Sequence, residues 1–188
     1  ELRDAGAEVV DIELPNAALS VSAYYVLATA EASSNLARFD GGRFGLRVDA
    51  PDLQSMYERT RAAFGAEVKR RILLGTFALS AGYHDRFYAK AQAVRRAVAA
   101  DFAAAFEAGC TAVATPTTPT VAFELGSYEG DPLAMYLSDL YTLPASLAGL
   151  PALSAPLRRP RGALPAGLQL VAPAFHEATL FALGSVFG

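Results

Sequence analysis

Apolar and polar residues alternate near the start of the chain. In residues 7–14, Val10, Ile12 and Leu14 alternate with charged neighbours, and this period of two predicts a half-buried strand that ends at Pro15. Three further short apolar segments, bounded by Gly or Pro, are also predicted to be strands: residues 111–114, 152–157 and 167–172.

Helical periodicity accounts for most of the remaining chain. The longest predicted helix, residues 85–107, places apolar side chains three or four positions apart on one face: Phe87, Ala91, Val94, Val98, Phe102 and Phe106. Asp52 is predicted to cap a helix at its N-terminus. The other predicted helices cover residues 17–37, 52–65, 67–79, 131–140, 143–148 and 176–187.

The segment 115–120, with the sequence TPTTPT, fits neither pattern. Proline cannot donate a main-chain hydrogen bond, so the segment cannot be a helix or a central strand, and we expect a rigid extended loop. Strands that alternate with helices predict an α/β layered fold with a sheet flanked by helices. We found no repeat or linker, so one domain is expected over residues 1–188.

Composition narrows the class of protein. The chain of 188 residues is 53% hydrophobic and 19% charged, with a net charge of −3, so there is no extended basic surface for a nucleic acid. The arginine-rich segment 158–161 is more readily a solvated loop than a contact with nucleic-acid phosphates. A single cysteine, Cys110, fits a reducing cytosol. No apolar run reaches the roughly 18 residues of a membrane span, and there is no signal-peptide, metal-ligand or nucleotide-binding pattern.

Two neighbouring segments carry a family resemblance. Residues 149–156 (GLPALSAP) and 164–171 (LPAGLQLV) resemble the C-terminal block of the amidase-signature family, in which two apolar strands are each preceded by Gly or Pro. The segment 115–120 resembles that family's Pro-Thr-Thr-Pro loop. The resemblance therefore implies the C-terminal portion of the amidase-signature fold, a mixed sheet flanked by helices, with Thr115, Pro116, Thr117 and Thr118 lining the substrate pocket.

Within this family, three segments resemble the glutamine-hydrolysing A subunits of tRNA-dependent amidotransferases: residues 30–41 (AEASSNLARFDG), 65–80 (GAEVKRRILLGTFALS) and 88–92 (YAKAQ). The resemblance implies that Arg38 binds the carboxylate of glutamine and that Asp139 binds its ammonium group. Guanidinium and carboxylate groups suit these two charges. Without the resemblance, Arg38 would be interpreted as bonding the last helix carbonyls or pairing with Asp40, and Asp139 as an exposed helix acid.

The family's catalytic residues are a Ser, a cis-Ser and a Lys, carried by Gly/Ser-rich segments that precede the region matched here. Nothing in this sequence resembles those segments, and Lys69 and Lys90 are the only lysines. We therefore assign no catalytic residue to this chain. It is expected to begin inside a longer fold and to lack glutaminase activity on its own.

The resemblance also implies partners. A B subunit would use ATP and Mg²⁺ to amidate glutamyl-tRNA(Gln) and would make most of the tRNA contacts, a small C subunit would hold the complex together, and this chain would need no cofactor of its own. A cytoplasmic location is expected. Two other functions stay open at this point: a stand-alone amidase of the same family, and a truncated scaffold without catalysis.

Overall fold

A computed structural model describes residues 1–187. Within that range the chain divides into two compact units, one formed by Glu1–Val21 together with the chain from Ala93 onward, and the other by Ser22–Gln92. Each unit is described by itself. The α-helices, in chain order, are α1 (Ser20–Asn35), α2 (Leu53–Ala62), α3 (Ala66–Leu79), α4 (His84–Glu107), α5 (Pro132–Leu137), α6 (Thr142–Ala148) and α7 (Glu177–Gly184).

The first unit contains a three-stranded antiparallel sheet. Its strands are β1 (Val113–Pro116), β2 (Ala152–Pro156) and β3 (Gly167–Val171), and β3 lies between the other two. Val171 is aligned with both Val113 and Ala152, which fixes the register on each side. The α/β class predicted from the sequence is confirmed. A mixed sheet was expected, but the strands in the described residues pair only in antiparallel fashion.

Strand β3 is covered on both faces. Since successive side chains of a strand point to opposite faces, Val171 packs with Val98, Phe102 and Ala145 from α4 and α6, whereas Leu170 packs on the other face with Leu180 of α7. The predicted apolar stripe of α4 is confirmed here, because Val94 and Phe106 also border this core. Side chains on the same face of β3 as Val171 therefore point towards α4 and α6.

Two polar links brace the first unit. Asn16 donates from its main-chain N to Asp101 Oδ2 and from Nδ2 to Oδ1, both at 2.8 Å, which attaches the segment before α1 to α4. Arg95 Nε donates to the carbonyl oxygen of Leu147 at 3.0 Å and so ties α4 to the end of α6. Helix α6 is itself largely buried, through Leu143, Pro144, Ala145 and Leu147.

The second unit is helical. Helix α2 begins as predicted, with Asp52 Oδ1 accepting the main-chain N–H of Ser55 at 2.9 Å. Arg61 reaches back from α2 and donates from Nη1 to the carbonyl oxygens of Leu36 (3.1 Å) and Phe39 (3.4 Å). Phe87, predicted to lie on the buried stripe of α4, is 39% exposed, so the stripe is buried only from Ala91 onward.

The predicted strand over residues 7–14 is wrong. These residues have no regular secondary structure, and Val9, Val10 and Ile12 are all exposed. A strand is stabilised by hydrogen bonds to a neighbouring strand, and alternation of side chains alone supplies no such neighbour. Several boundaries also differ: α5 ends at Leu137, α2 ends at Ala62, and β1 extends through Pro116. Because β1 is an edge strand, Pro116 requires no partner on its open side. The single domain stays a prediction.

Candidate functional site

The Thr/Pro segment, residues 115–120, leaves the sheet at the end of β1. The main-chain N–H of Thr117 donates to the carbonyl oxygen of Gly167 at 3.0 Å, so the first residue beyond β1 is still held against β3. The Thr117 hydroxyl lies 2.8 Å from the hydroxyl of Ser154 on β2, and either can be the donor. Thr118 Oγ1 donates to the carbonyl oxygen of Thr120 at 2.8 Å, which stiffens the next turn. The segment is thus fixed by hydrogen bonds as well as by its prolines.

Gly167 allows the two hydroxyls to meet. A Cβ at Gly167 would lie 2.7 Å from Thr117 Oγ1 and 2.8 Å from Ser154 Oγ, closer than real Cβ contacts. The absence of a side chain at this position therefore permits a small hydroxyl pair between the Thr/Pro segment and β2.

Gln169 is a buried polar residue in the middle of β3, with only 5% of its surface exposed. Its Nε2 donates to the carbonyl oxygen of Tyr141 at 2.7 Å and to Thr115 Oγ1 at 3.1 Å. A buried amide is costly unless it is hydrogen-bonded, and here both Nε2 hydrogens have acceptors. No role of Gln169 was predicted from the sequence. A single amide within the apolar sequence LQLVA was the signal that could have drawn attention to it.

Asp139 precedes α6 in a turn with a well-defined backbone. Its carbonyl oxygen accepts the main-chain N–H groups of Thr142 and Leu143, both at 3.1 Å, and the hydroxyl of Thr142. Its side chain is exposed, and within residues 1–187 its carboxylate makes no hydrogen bond or ion pair. The turn therefore presents one carboxylate to solvent from a fixed backbone.

Two concave regions of the first unit adjoin these residues. One, of about 340 Å³, is mainly apolar and has Thr115, Tyr141 and Gln169 among its lining residues. The other, of about 320 Å³, is lined in part by Thr115, Pro116 and Thr118. Thr117 was also predicted to line the pocket, but it is not among the lining residues of this concavity. Its hydroxyl is hydrogen-bonded with that of Ser154 instead. Apolar concavities with a few polar groups are typical of small-molecule sites.

Arg38 lies in the second unit, in a 3₁₀ turn that follows α1. Its side chain is exposed, and its Nε donates to the carbonyl oxygen of Asn35 at 3.0 Å. This is the helix-end arrangement considered in the sequence analysis. Asp40 is occupied elsewhere: its Oδ1 accepts the main-chain N–H of Gly42 at 2.7 Å, and this bond holds the pKa of the Asp40 carboxyl below its usual range. Within residues 1–187, the hydrogen bond of the Arg38 side chain uses only Nε.

Neither lysine resembles a buried base. Lys69 is exposed, and its Nζ donates to the carbonyl oxygen of Ala62 at 2.6 Å, while Lys90 is exposed on α4.

Throughout the described range, no three His, Cys, Asp or Glu side chains come together as a metal site would require. None of the helices in residues 1–187 combines the length and apolar character needed to cross a membrane.

Comparison with known proteins identifies the class. Residues 1–181 match the model of the amidase family, and the chain belongs to that family. The A subunit of glutamyl-tRNA(Gln) amidotransferase from Rhizobium meliloti (strain 1021) is 54% identical over 183 residues, which are 96% of this chain and 37% of that protein. The A subunit from Chelativorans sp. (strain BNC1) is also 54% identical, with the same coverage of both chains.

A solved structure gives the same relationship. The crystal structure of the A subunit of glutamyl-tRNA(Gln) amidotransferase from Thermotoga maritima superposes with a TM-score of 0.66 at 38% identity, covering 96% of this chain and 34% of that one. This chain thus spans little more than a third of the length of the relatives that it matches.

Proposed function

We propose that this chain is the C-terminal portion of the glutaminase (A) subunit of a tRNA-dependent amidotransferase. The complete subunit would hydrolyse glutamine and supply ammonia for converting glutamyl-tRNA(Gln) to glutaminyl-tRNA(Gln). The observation that carries the proposal is the 54% identity to relatives of that name over 96% of the chain. Arg38 and Asp139 are each exposed, and a guanidinium and a carboxylate suit the carboxylate and the ammonium group of glutamine respectively.

The binding roles follow from the chemistry of each group. Arg38 presents a planar fork of N–H donors that can bond both oxygens of a carboxylate. Asp139 presents an acceptor-only carboxylate to an ammonium group. Simple amides carry neither charge, so these two residues would select glutamine by binding the parts of the molecule that do not react. Such selection is effective when the binding groups are carried by a rigid backbone. The turn that carries Asp139 is held by hydrogen bonds to its carbonyl oxygen from the main chain of α6.

The reactive half of the site would come from outside this chain. In the proposed enzyme a Ser–cis-Ser–Lys triad forms an acyl-enzyme with the glutamine side chain and releases ammonia. We expect purified residues 1–188 to release no ammonia from glutamine. The partners would be a B subunit, which uses ATP and Mg²⁺ and makes most of the tRNA contacts, and a small C subunit; the whole complex would be cytoplasmic. This chain would require no cofactor.

The proposal is tested with the substitution Arg38→Ala in the complete subunit. A bidentate, charge-assisted contact contributes roughly 3 kcal/mol, so kcat/KM for glutamine should fall about 100-fold, while hydrolysis of a simple amide should change little. Arg43→Ala is the matched control, since Arg43 is exposed five residues away. If the wild-type enzyme prefers simple amides to glutamine, a stand-alone amidase is favoured instead, and a complete protein without amidase activity would favour the scaffold.

A further inference from the structure

Gln169 connects two segments that are distant in the sequence. Thr115 lies on β1, directly opposite Gln169 in the sheet register, and Tyr141 lies in the turn before α6. Because a carbonyl oxygen can only accept a hydrogen bond, the 2.7 Å contact with Tyr141 identifies the bonding atom of Gln169 as Nε2. Its second hydrogen then reaches the Thr115 hydroxyl. One buried amide thus joins the start of the Thr/Pro segment to the turn that contains Asp139.

The orientation of Gln169 follows from the sheet. It is two residues before Val171, so both side chains point to the face of β3 that packs against α4 and α6. Tyr141 is two residues after Asp139, and the carbonyl oxygen of Asp139 accepts the N–H groups of the first turn of α6. A shift of Tyr141 would therefore shift the backbone that carries the Asp139 carboxylate. The far end of α6 is held separately, by Arg95 on Leu147.

We propose that Gln169 is a positioning residue for recognition of the substrate's ammonium group, acting through the Tyr141 carbonyl on Asp139. This inference rests on the proposed function, in which Asp139 binds that ammonium. Gln169 itself need not contact the substrate. Its two bonds fix the position of the turn relative to the sheet, and loss of the bond to Tyr141 lets the turn relax.

The experiment compares two substrates that differ only in the group that Asp139 would bind. Glutamine and 4-carbamoylbutanoate share the amide and the carboxylate, but the second has hydrogen in place of the ammonium group. In the complete subunit, the ratio of kcat/KM for glutamine to kcat/KM for 4-carbamoylbutanoate reports ammonium recognition alone. Gln169→Leu should lower this ratio about 10-fold or more, since small displacements of a binding group have large effects on turnover. The change should appear mainly in KM for glutamine.

Three further variants keep the result interpretable. Gln169→Met preserves the approximate size and removes both donors without adding an ionisable group, so it should lower the ratio as Gln169→Leu does. It gives a second measurement if either variant folds poorly. Thr115→Val removes only the weaker bond and should have a smaller effect. Gln54→Leu changes an exposed glutamine that bonds Glu58, and should leave the ratio unchanged.

A double substitution separates positioning from general structural damage. In an Asp139→Ala background the ammonium partner is gone, so Gln169→Leu should produce no further change in the ratio. Equal losses for both substrates in the Gln169 variants would overturn the inference and leave the proposed function intact. If the wild type shows no preference for glutamine, or Asp139→Ala does not reduce that preference, the proposed function fails and the inference fails with it.

Discussion

Gly75 of α3 packs directly against the main-chain carbonyl of Thr29 in α1. A Cβ at Gly75 would overlap that oxygen, and it would also lie 2.9 Å from the Cβ of Ser33. Thr29, Gly75 and Ala78 are all buried, so small residues line this contact between the two helices. The close approach of α1 and α3 within the second unit depends on the missing side chain.

We predict that Gly75→Ala destabilises the second unit. Alanine raises helix propensity by about 1 kcal/mol relative to glycine, which opposes the effect. The added methyl group meets main-chain atoms, which no change of side-chain rotamer can relieve, and overpacking of this kind costs roughly 1–3 kcal/mol or more. The net result should be faster hydrogen exchange of the α1 and α3 amides and a lower unfolding midpoint.

Thr76→Ala is the control for that experiment. Thr76 is the next residue of α3 and is exposed, so its replacement should leave exchange in α1 unaltered. Unchanged exchange in the Gly75→Ala variant would mean that the two helices separate without loss of stability, contrary to the packing described above.

The sequence predicted those parts of the fold that depend on local periodicity. The stripe through Val94, Val98 and Phe102 placed α4 correctly because burial of one helix face repeats every three or four residues. Val10 and Ile12 follow an equally clear period of two, yet they belong to no strand. Periodicity reports which side chains would share a face. It does not report whether a neighbouring strand is present, and this explains the error in residues 7–14.

Only some residues of the candidate site could be predicted from the sequence. Arg38 and Asp139 were found through motif resemblance, and their binding roles stay predictions. The bonds of Gln169 to Thr115 and Tyr141 were not foreseen, because they join residues 54 and 28 positions apart. The same holds for Gly75 and Thr29. Contacts of this kind are set by tertiary packing, and a single sequence does not encode them in a readable local pattern.

The N-terminus of α2 should weaken in acid. The N–H and the hydroxyl of Ser55 both bond the Asp52 carboxylate, and these bonds hold the pKa of Asp52 below its ordinary value of 3.8. A carboxyl whose pKa is lowered by folding stabilises the folded state above its unfolded pKa and loses that contribution as the pH falls through the folded one. Protection of the first α2 amides against hydrogen exchange should therefore decrease below about pH 4.

The substitution Asp52→Asn separates the effect of ionising the Asp52 carboxyl from the effect of the capping hydrogen bond. Asparagine is about as good an N-cap as aspartate but does not ionise in this range. The variant should retain most of the protection at neutral pH and show a flatter response between about pH 4 and pH 2. If wild type and variant respond identically to acid, the acid sensitivity of this helix comes from other groups.

Gly167→Ala should separate the Thr117 hydroxyl from that of Ser154. The backbone of Gly167 is not in the left-handed region, so alanine is conformationally acceptable and only the new methyl group acts. That group would stand 2.7 Å from Thr117 Oγ1 and 2.8 Å from Ser154 Oγ. Since β2, β3 and the Thr/Pro segment all meet here, we expect a loss of roughly 1–3 kcal/mol in the free energy of unfolding.

The same substitution in a Thr117→Ala/Ser154→Ala background tests the cause. Removing both hydroxyls creates the space that the methyl group needs, so Gly167→Ala should cost less than half as much there as in the wild type. The difference is a coupling energy, and residues in direct contact commonly couple by about 0.5–3 kcal/mol. An equal cost in both backgrounds would show that the strain arises from the strand backbone. The hydroxyl pair would then be a consequence of the β2–β3 register, which aligns Ser154 with Gln169, and not of the space left by Gly167.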